Sequence, residues 1–227
     1  MEPWHVFPAH PVYSTESMKN FAGGIWTLAL VALTGCGSGS PPGASEQPIY
    51  ALAAPFQPRY TSLLSTRGRW PTRTIRVSFS EGAETRPLPQ LRTLMEGEIG
   101  RWTVATDGLL AFQFGDGPIE ANVHVTFVDS SDPDILSSSG EQAVTQLQWI
   151  EGTPRDTLFD ALVKIRAGLP EKQVASIAAH EIGHALGITG HSDDPSDLMA
   201  ARFQAGASVS QRDADTLAFL YLADEQN

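Results

Sequence analysis

Residues 180–191 read His-Glu-Ile-Gly-His-Ala-Leu-Gly-Ile-Thr-Gly-His, and this stretch decides the fold of the chain. His180 and His184 are four positions apart, so on an α-helix they lie on one face, about one turn from each other. Imidazole is a good ligand for zinc, and a catalytic zinc typically keeps three protein ligands and one open position. The spacing therefore predicts a helix that presents two ligands to one metal ion.

The third candidate ligand is His191. On a continuous helix it would lie about 10 Å beyond His184 along the axis, which is too far to share a metal ion. The helix is therefore expected to end between them, and Gly187 can adopt the left-handed conformation that turns the chain back. Glu181 lies beside the ligands without needing to be one, so it is the candidate general base for a zinc-activated water.

Residues 180–191 resemble the signature of the metzincin metallopeptidases, and the following Ser-Asp-Asp-Pro-Ser-Asp-Leu-Met, residues 192–199, resembles the matrixin branch. The resemblance implies an α+β zincin domain, with a twisted mixed sheet of about five strands, an active-site helix, a backing helix and a C-terminal helix. It also implies a zinc-dependent endopeptidase that cleaves peptide bonds of proteins, with one catalytic Zn²⁺ on His180, His184 and His191. Two alternatives are a catalytically silent zinc-binding envelope lipoprotein that acts as a scaffold, and an enzyme that hydrolyses a non-protein amide.

Two further residues enter through the resemblance. Met199 falls at the family's Met-turn, an apolar floor beneath the zinc, whereas by itself it would be ordinary core. Asp213 would support that turn, and its alternative is a capping residue of a C-terminal helix that begins after Ser210. The family has two successive Asp residues at this helix start, and here the first of them is Arg212.

The chain also departs from the matrixin pattern before the active-site helix. It has no histidine between Val128 and Val174, which predicts a single zinc and no structural zinc. Three acidic residues follow His191: Asp193, Asp194 and Asp197. Carboxylates of this kind can bind calcium, but we interpret these three as solvated turn residues. His124 stands alone in a predicted strand, so a structural role is expected for it.

The N-terminal region carries targeting signals. Phe21–Leu33 is an apolar stretch, long enough for a signal peptide and shorter than the ~20 residues of a membrane-spanning helix. It ends in Leu-Thr-Gly-Cys, residues 33–36, which resembles a bacterial lipobox and implies lipidation of Cys36, the sole cysteine. The alternative is an unmodified thiol. Lys19 directly follows Met18, which suggests that translation begins at Met18.

These features predict a signal peptide with lipobox at residues 1–36, a flexible tether at 37–69 and a metallopeptidase domain at 70–227. A monomer is expected on the bacterial cell envelope, anchored to a membrane by its lipid, with the domain periplasmic or extracellular. The net charge of −11 argues against nucleic-acid binding.

Hydrophobic periodicity predicts the elements of the domain. The strand at Gln142–Trp149 is the candidate edge to which a substrate peptide adds. The full set comprises a strand, a helix, two strands, a hairpin and the motif helix: Ile75–Phe79, Pro87–Trp102, Leu110–Phe114, Val123–Val128, Val144–Trp149 with Leu158–Ile165, and Pro170–Leu186.

Overall fold

A computed structural model describes residues 60–64, 68–115, 121–136, 142–152, 156–202, 204 and 206–222. Within these ranges the chain forms five strands and four α-helices, preceded by a short 3-10 turn at Thr61–Leu63. The strands are β1 (Thr74–Ser80), β2 (Ala111–Gly115), β3 (Val123–Val128), β4 (Ala143–Ile150) and β5 (Thr157–Arg166). The helices are α1 (Leu88–Ala105), α2 (Pro133–Leu136), α3 (Glu171–Ala185) and α4 (Gln211–Leu222).

The strands form one mixed sheet in the order β2-β1-β3-β5-β4. Neighbours among β1, β2, β3 and β5 run parallel, whereas β4 runs antiparallel to β5 as the first arm of a hairpin. The predicted α+β class and mixed five-stranded sheet are therefore confirmed. The predicted edge position of β4 is also observed, since it is the last strand in the order.

The helix α1 packs on one face of the sheet. Its apolar positions recur every three or four residues, and four of them are fully buried: Leu91, Met95, Ile99 and Trp102. Gly97 and Gly100 weaken the helix by propensity, but both lie on its open side, where an added Cβ would meet no atom within 4 Å. Packing of the apolar stripe outweighs that cost, and the helix continues one turn past the predicted end to Ala105.

The helix α3 is the centre of the molecule. Every residue from Val174 to Ala185 is buried, because α3 lies between the sheet, α1 and the segments that follow it. The indole Nε1 of Trp102 in α1 donates to the carbonyl oxygen of Ala179 in α3 at 2.9 Å. This directional hydrogen bond fixes the position of α1 along α3, which apolar contacts do less specifically.

The packed domain starts earlier than the predicted boundary at residue 70. Tyr60 is 2% exposed and belongs to the hydrophobic core, and the backbone of Arg69 pairs with residues 156–158. Residues 60–64, 68 and 69 therefore belong to the packed domain and not to the predicted tether, since an apolar ring and a backbone pairing tie this segment to it. The predicted signal peptide, Cys36 and residues 37–59 lie outside the described residues. No helix within the described ranges has the length and apolar character needed to cross a bilayer.

Candidate active site

The helix α3 carries His180, Glu181 and His184 on adjacent turns. All three are buried, with exposed fractions of 7%, 1% and 3%. The imidazole rings of His180 and His184 lie 4.8 Å apart between centroids, at nearly a right angle. Helical geometry alone accounts for this pairing, as the four-residue spacing predicts.

The third histidine arrives from the loop after α3. Gly187 has a φ of 109°, a backbone conformation that side chains other than glycine rarely adopt, and it turns the chain at the helix end. The ring of His191 then lies 5.4 Å from that of His180 and 5.0 Å from that of His184. One ligand nitrogen from each ring falls within 4.8 Å of the other two.

The hydrogen bonds of two rings indicate that this set fits zinc. His180 Nδ1 lies 2.7 Å from the carbonyl oxygen of Leu198, and His184 Nδ1 lies 2.6 Å from that of Ile188. A carbonyl only accepts, so each Nδ1 carries the hydrogen and each Nε2 presents a lone pair. The two Nε2 atoms are 3.1 Å apart, close to the roughly 3.3 Å that two ligand nitrogens have around tetrahedral zinc.

Electrostatics favour the neutral, metal-binding form of these rings. Burial lowers the pKa of His180 to about 4. Burial, and then the charges of His180 and His191, lower the pKa of His184 well below its usual range. The rings therefore stay uncharged at neutral pH, with lone pairs facing one another, and a cation between them removes that repulsion.

Met199 packs against α3 at Gly183, which stands between His180 and His184 in the sequence. Its side chain is fully buried, and a Cβ added to Gly183 of α3 would lie 2.3 Å from the Met199 sulfur and 2.7 Å from Trp102. The glycine between the two ligand histidines of the helix thus allows the thioether to approach the helix backbone. Sequence reasoning left out Gly183, although it stands inside the motif.

Asp213 connects α4 to the backbone that orients His180. Its carboxylate accepts hydrogen bonds from the amide of Leu198 at 2.9 Å and the amide of Ser210 at 3.0 Å. Ser210 Oγ in turn accepts from the Asp213 amide at 3.1 Å, which makes a reciprocal cap at the start of α4. The Asp213 carboxylate thus both caps α4 and holds the amide of Leu198, the residue whose carbonyl accepts the His180 Nδ1 hydrogen.

A tyrosine from the other end of the domain completes the Asp213 site. Tyr60 Oη donates to Asp213 Oδ1 at 2.6 Å across 153 positions of sequence. Burial, and then the charge of Asp213, raise the pKa of Tyr60 well above its usual value, so the hydroxyl keeps its proton and remains a donor. No motif or periodicity in the sequence marks Tyr60 for this contact.

The segment that begins at Tyr60 also packs directly on the His191 loop. A Cβ at Gly190 would lie 2.3 Å from the carbonyl oxygen of Leu63, and one at Gly187 would lie 2.3 Å from that of Gly68. Two glycines of the motif therefore permit close backbone contact with a segment far away in sequence. Gly187 was predicted for its conformation, whereas the need for Gly190 appears only from the structure.

Arg212, where the family has Asp, pairs with the loop after His191. Its guanidinium lies 2.5 Å from Asp193, 3.5 Å from Asp194 and 3.4 Å from Asp197, measured between nitrogen and carboxylate oxygen. The cation that these three carboxylates contact is thus an arginine. Asp194 also accepts from the amide and hydroxyl of Ser196 as a turn residue. Asp197 differs from the predicted solvated acid, because it is buried and accepts a hydrogen bond from Ser192 Oγ.

Two other polar clusters are separate from the cluster of His180, His184 and His191. Lys164 of β5 pairs with the segment that follows β3, and its ammonium lies 3.1 Å from Asp132 and 2.7 Å from Asp134. His124 lies between Ser78, at 3.0 Å from Nδ1, and Asp160, at 3.3 Å from Nε2. His124 thus takes part in a polar row across neighbouring strands, as expected for a structural histidine.

The comparison with known families agrees with this geometry. The family model described as matrixin matches residues 69–222. The chain belongs to the matrixin family. The matched range contains every element of the described sheet, the three histidines and Asp213. Membership in the matrixin family indicates a domain of the zinc metallopeptidase type. The histidine cluster is compatible with a zinc site.

One similar protein is human matrix metalloproteinase-20. It is 28% identical over 133 residues, which cover 58% of this chain and 27% of the human protein. The matrixin chain described here therefore spans only about a quarter of the length of that relative. The likeness supports a shared catalytic-domain type.

Proposed function

We propose that this matrixin domain is an active zinc endopeptidase that cleaves peptide bonds within protein substrates. The observation that carries the proposal is the convergence of three histidine side chains beside a buried glutamate, with ligand nitrogens within 4.8 Å of one another. A scaffold that only bound zinc would have no need of Glu181 at that place. The proposal includes one catalytic zinc per chain and no structural zinc.

Each residue has a distinct part in the proposed reaction. When bound, zinc lowers the pKa of its water toward roughly 7 and polarises a substrate carbonyl. Glu181 accepts a proton at its carboxylate as water attacks the carbonyl carbon, and it returns the proton to the amine that leaves as the C–N bond breaks. His180 and His184 stay oriented by the carbonyls that accept their Nδ1 hydrogens.

The edge strand β4 offers a place for the substrate backbone. It is the last strand of the described sheet, and Thr145 in its first half contacts Glu181 directly. An extended peptide that adds to this edge would receive main-chain hydrogen bonds and pass beside the zinc site. This arrangement supports protein or peptide substrates over a compact non-protein amide.

Cleavage of a mixed peptide pool tests the proposal. The full chain, loaded with zinc, is incubated with the pool, and new termini are read by mass spectrometry, alongside Glu181→Ala and the control Glu171→Ala. Glu171 is an exposed glutamate in the first turn of the same helix. We expect cleavage by the wild type and Glu171→Ala, and a loss of 100-fold or more, of the order of a missing general base, in Glu181→Ala. Zinc bound at one per chain with no cleavage by any of them would favour the silent-scaffold alternative.

We also propose that a lipid on Cys36 anchors the monomeric protein to a membrane of the bacterial cell envelope. The lipobox-like residues 33–36 and the apolar stretch before them support this. Expression in a bacterium, membrane fractionation and mass spectrometry of the N-terminal peptide test it, with Cys36→Ser as control. We expect a diacylated Cys36 in the membrane fraction, and a precursor that starts at Met18. An unmodified Cys36 with the apolar stretch retained would contradict the anchor.

A further inference from the structure

Thr145 is the residue of the edge strand that lies against the candidate base. Its Oγ1 is 2.6 Å from Glu181 Oε2 and 3.1 Å from the Glu181 backbone oxygen. The contact joins β4 to the middle of α3 across 36 positions of sequence. Neither the zinc-binding motif nor the alternation of the strand points to this residue.

The hydroxyl hydrogen of Thr145 goes to the carboxylate. A threonine hydroxyl has one hydrogen to donate, and two acceptors of Glu181 lie within reach. Hydrogen bonds from a hydroxyl to a carboxylate are stronger and shorter than those between neutral groups, typically about 2.5–2.7 Å, and the distance to Oε2 falls in that range. The Glu181 side chain is therefore the group that this hydrogen bond orients.

Thr145 is a rigid donor, whereas Glu181 has a flexible side chain. Thr145 pairs with Val163 of β5 in the sheet, and a β-branched side chain has few χ1 conformations. A glutamate has three χ angles between its helix backbone and its carboxylate, so a helix alone does not determine where the oxygens lie. A donor mounted on the sheet supplies the missing constraint.

We propose that Thr145 is a positioning residue that holds the Glu181 carboxylate in the orientation needed for proton transfer. The inference rests on the proposed function, because it concerns the base of that reaction. It also joins two parts of the site, since the strand that receives the substrate backbone is the strand that orients the base. A role in packing alone would be preserved by valine, which has the same shape without the hydroxyl.

Kinetics of Thr145→Val and Thr145→Ser test this role, with Thr126→Val as the matched control. Thr126 is a partly buried threonine of β3 whose Oγ1 accepts a hydrogen bond from Ser80 of β1. General-base catalysis contributes about 10²–10⁴-fold, so a misplaced base is expected to lower kcat by roughly 10–100-fold in Thr145→Val. KM and zinc affinity should stay within about 2-fold, and Thr145→Ser should recover most of kcat.

Each other result has a defined meaning. An active wild type with Thr145→Val as fast, or with Thr145→Ser as slow as Thr145→Val, would overturn the positioning role and leave the proposed peptidase intact. If the wild type cleaves no peptide, the proposed function fails, and crystal structures of the zinc-loaded wild type and Thr145→Val then decide the inference. A displaced Glu181 carboxylate in the variant would support it, and an unchanged carboxylate would overturn it.

Discussion

The two halves of the histidine cluster are held in different ways. His180 and His184 belong to one buried helix, and their relative position follows from its pitch. His191 stands on an irregular loop whose position depends on Leu63, Gly68 and Asp213, each distant in sequence. The helix half is thus local in origin, whereas the loop half is assembled by tertiary contacts.

This difference indicates where the site can be disturbed without touching a ligand. A change in the contacts of the loop should alter zinc binding as well as stability, because residues 188–198 form no helix or strand and their backbone is held by single contacts such as the bridge between Ser192 and Ala200. A change in the support of the helix should instead lower the stability of the whole domain, since α3 is buried and packs against α1, β4 and β5. Three predictions separate these outcomes.

The largest effect is expected from Asp213→Ala, which removes the buried acceptor of three donors on Tyr60, Leu198 and Ser210. Buried donors left without an acceptor cost about 1–3 kcal/mol each, so we expect a loss of roughly 4 kcal/mol in the free energy of unfolding. Zinc affinity should fall about 10-fold because the Leu198 carbonyl orients His180. Urea unfolding and a chelator competition measure the two effects.

Asp193→Ala is the matched control for Asp213. Its side chain is 72% exposed and meets Arg212 at the surface, so its loss should change stability by about 0.5 kcal/mol or less. Equal losses from Asp193→Ala and Asp213→Ala would show that the buried carboxylate has no special role in holding the loop.

The second prediction concerns the support of the helix half at low pH. Glu84 accepts from Arg86 and from the amide of Gly168 in the turn that leads into α3. The Arg86 hydrogen bond lowers the pKa of Glu84 to about 2. Since the folded pKa lies below the unfolded one, the stabilisation is present above about pH 4.5 and is lost as the pH falls toward 2. A shift of this size corresponds to about 3 kcal/mol.

Unfolding of the wild type and Glu84→Gln from pH 7 to pH 2 measures this effect. We expect a nearly constant difference in free energy above pH 5, which shrinks toward zero as Glu84 takes up a proton in the wild type. A difference that stays constant through the acid range would mean that the Glu84 charge contributes nothing to the turn before α3.

The smallest effect on stability is expected from Gly190→Ala, which tests the loop half alone. The added Cβ would lie 2.3 Å from the Leu63 carbonyl oxygen and must displace one backbone or the other. Overpacking of this kind costs about 1–3 kcal/mol, and we expect about 2 here. Zinc affinity should drop by roughly 10–100-fold because His191 moves with the loop.

Gly100→Ala is the control for Gly190, because a Cβ there meets nothing within 4 Å. In the interior of α1 it should raise stability by about 0.5–1 kcal/mol and leave zinc binding unchanged. Wild-type zinc affinity in Gly190→Ala would indicate that the loop adjusts without moving His191, and the proposed contrast between the halves would then disappear.

Much of the architecture was predictable because the apolar residues of each helix and strand recur with the period of that element. The strand at Val123–Val128 appears with the predicted ends, and the helix over the active site differs by one residue at each end. Tyr60 escaped prediction because its segment has no periodicity, and Thr145 because its partner depends on how β4 packs against α3. Gly183 and Gly190 lie within the histidine motif, but the sequence does not show which neighbouring atom requires a glycine at either position.

The sequence by itself determined the family, the helix with two candidate ligands, the turn at Gly187 and the candidate base, because each rests on spacing within a few residues. The tertiary structure decided how His191, Asp213 and Tyr60 join one site and which threonine faces Glu181. Contacts between segments far apart in the chain depend on the packing of whole elements. Spacing along the sequence does not encode that packing in a form that can be read locally.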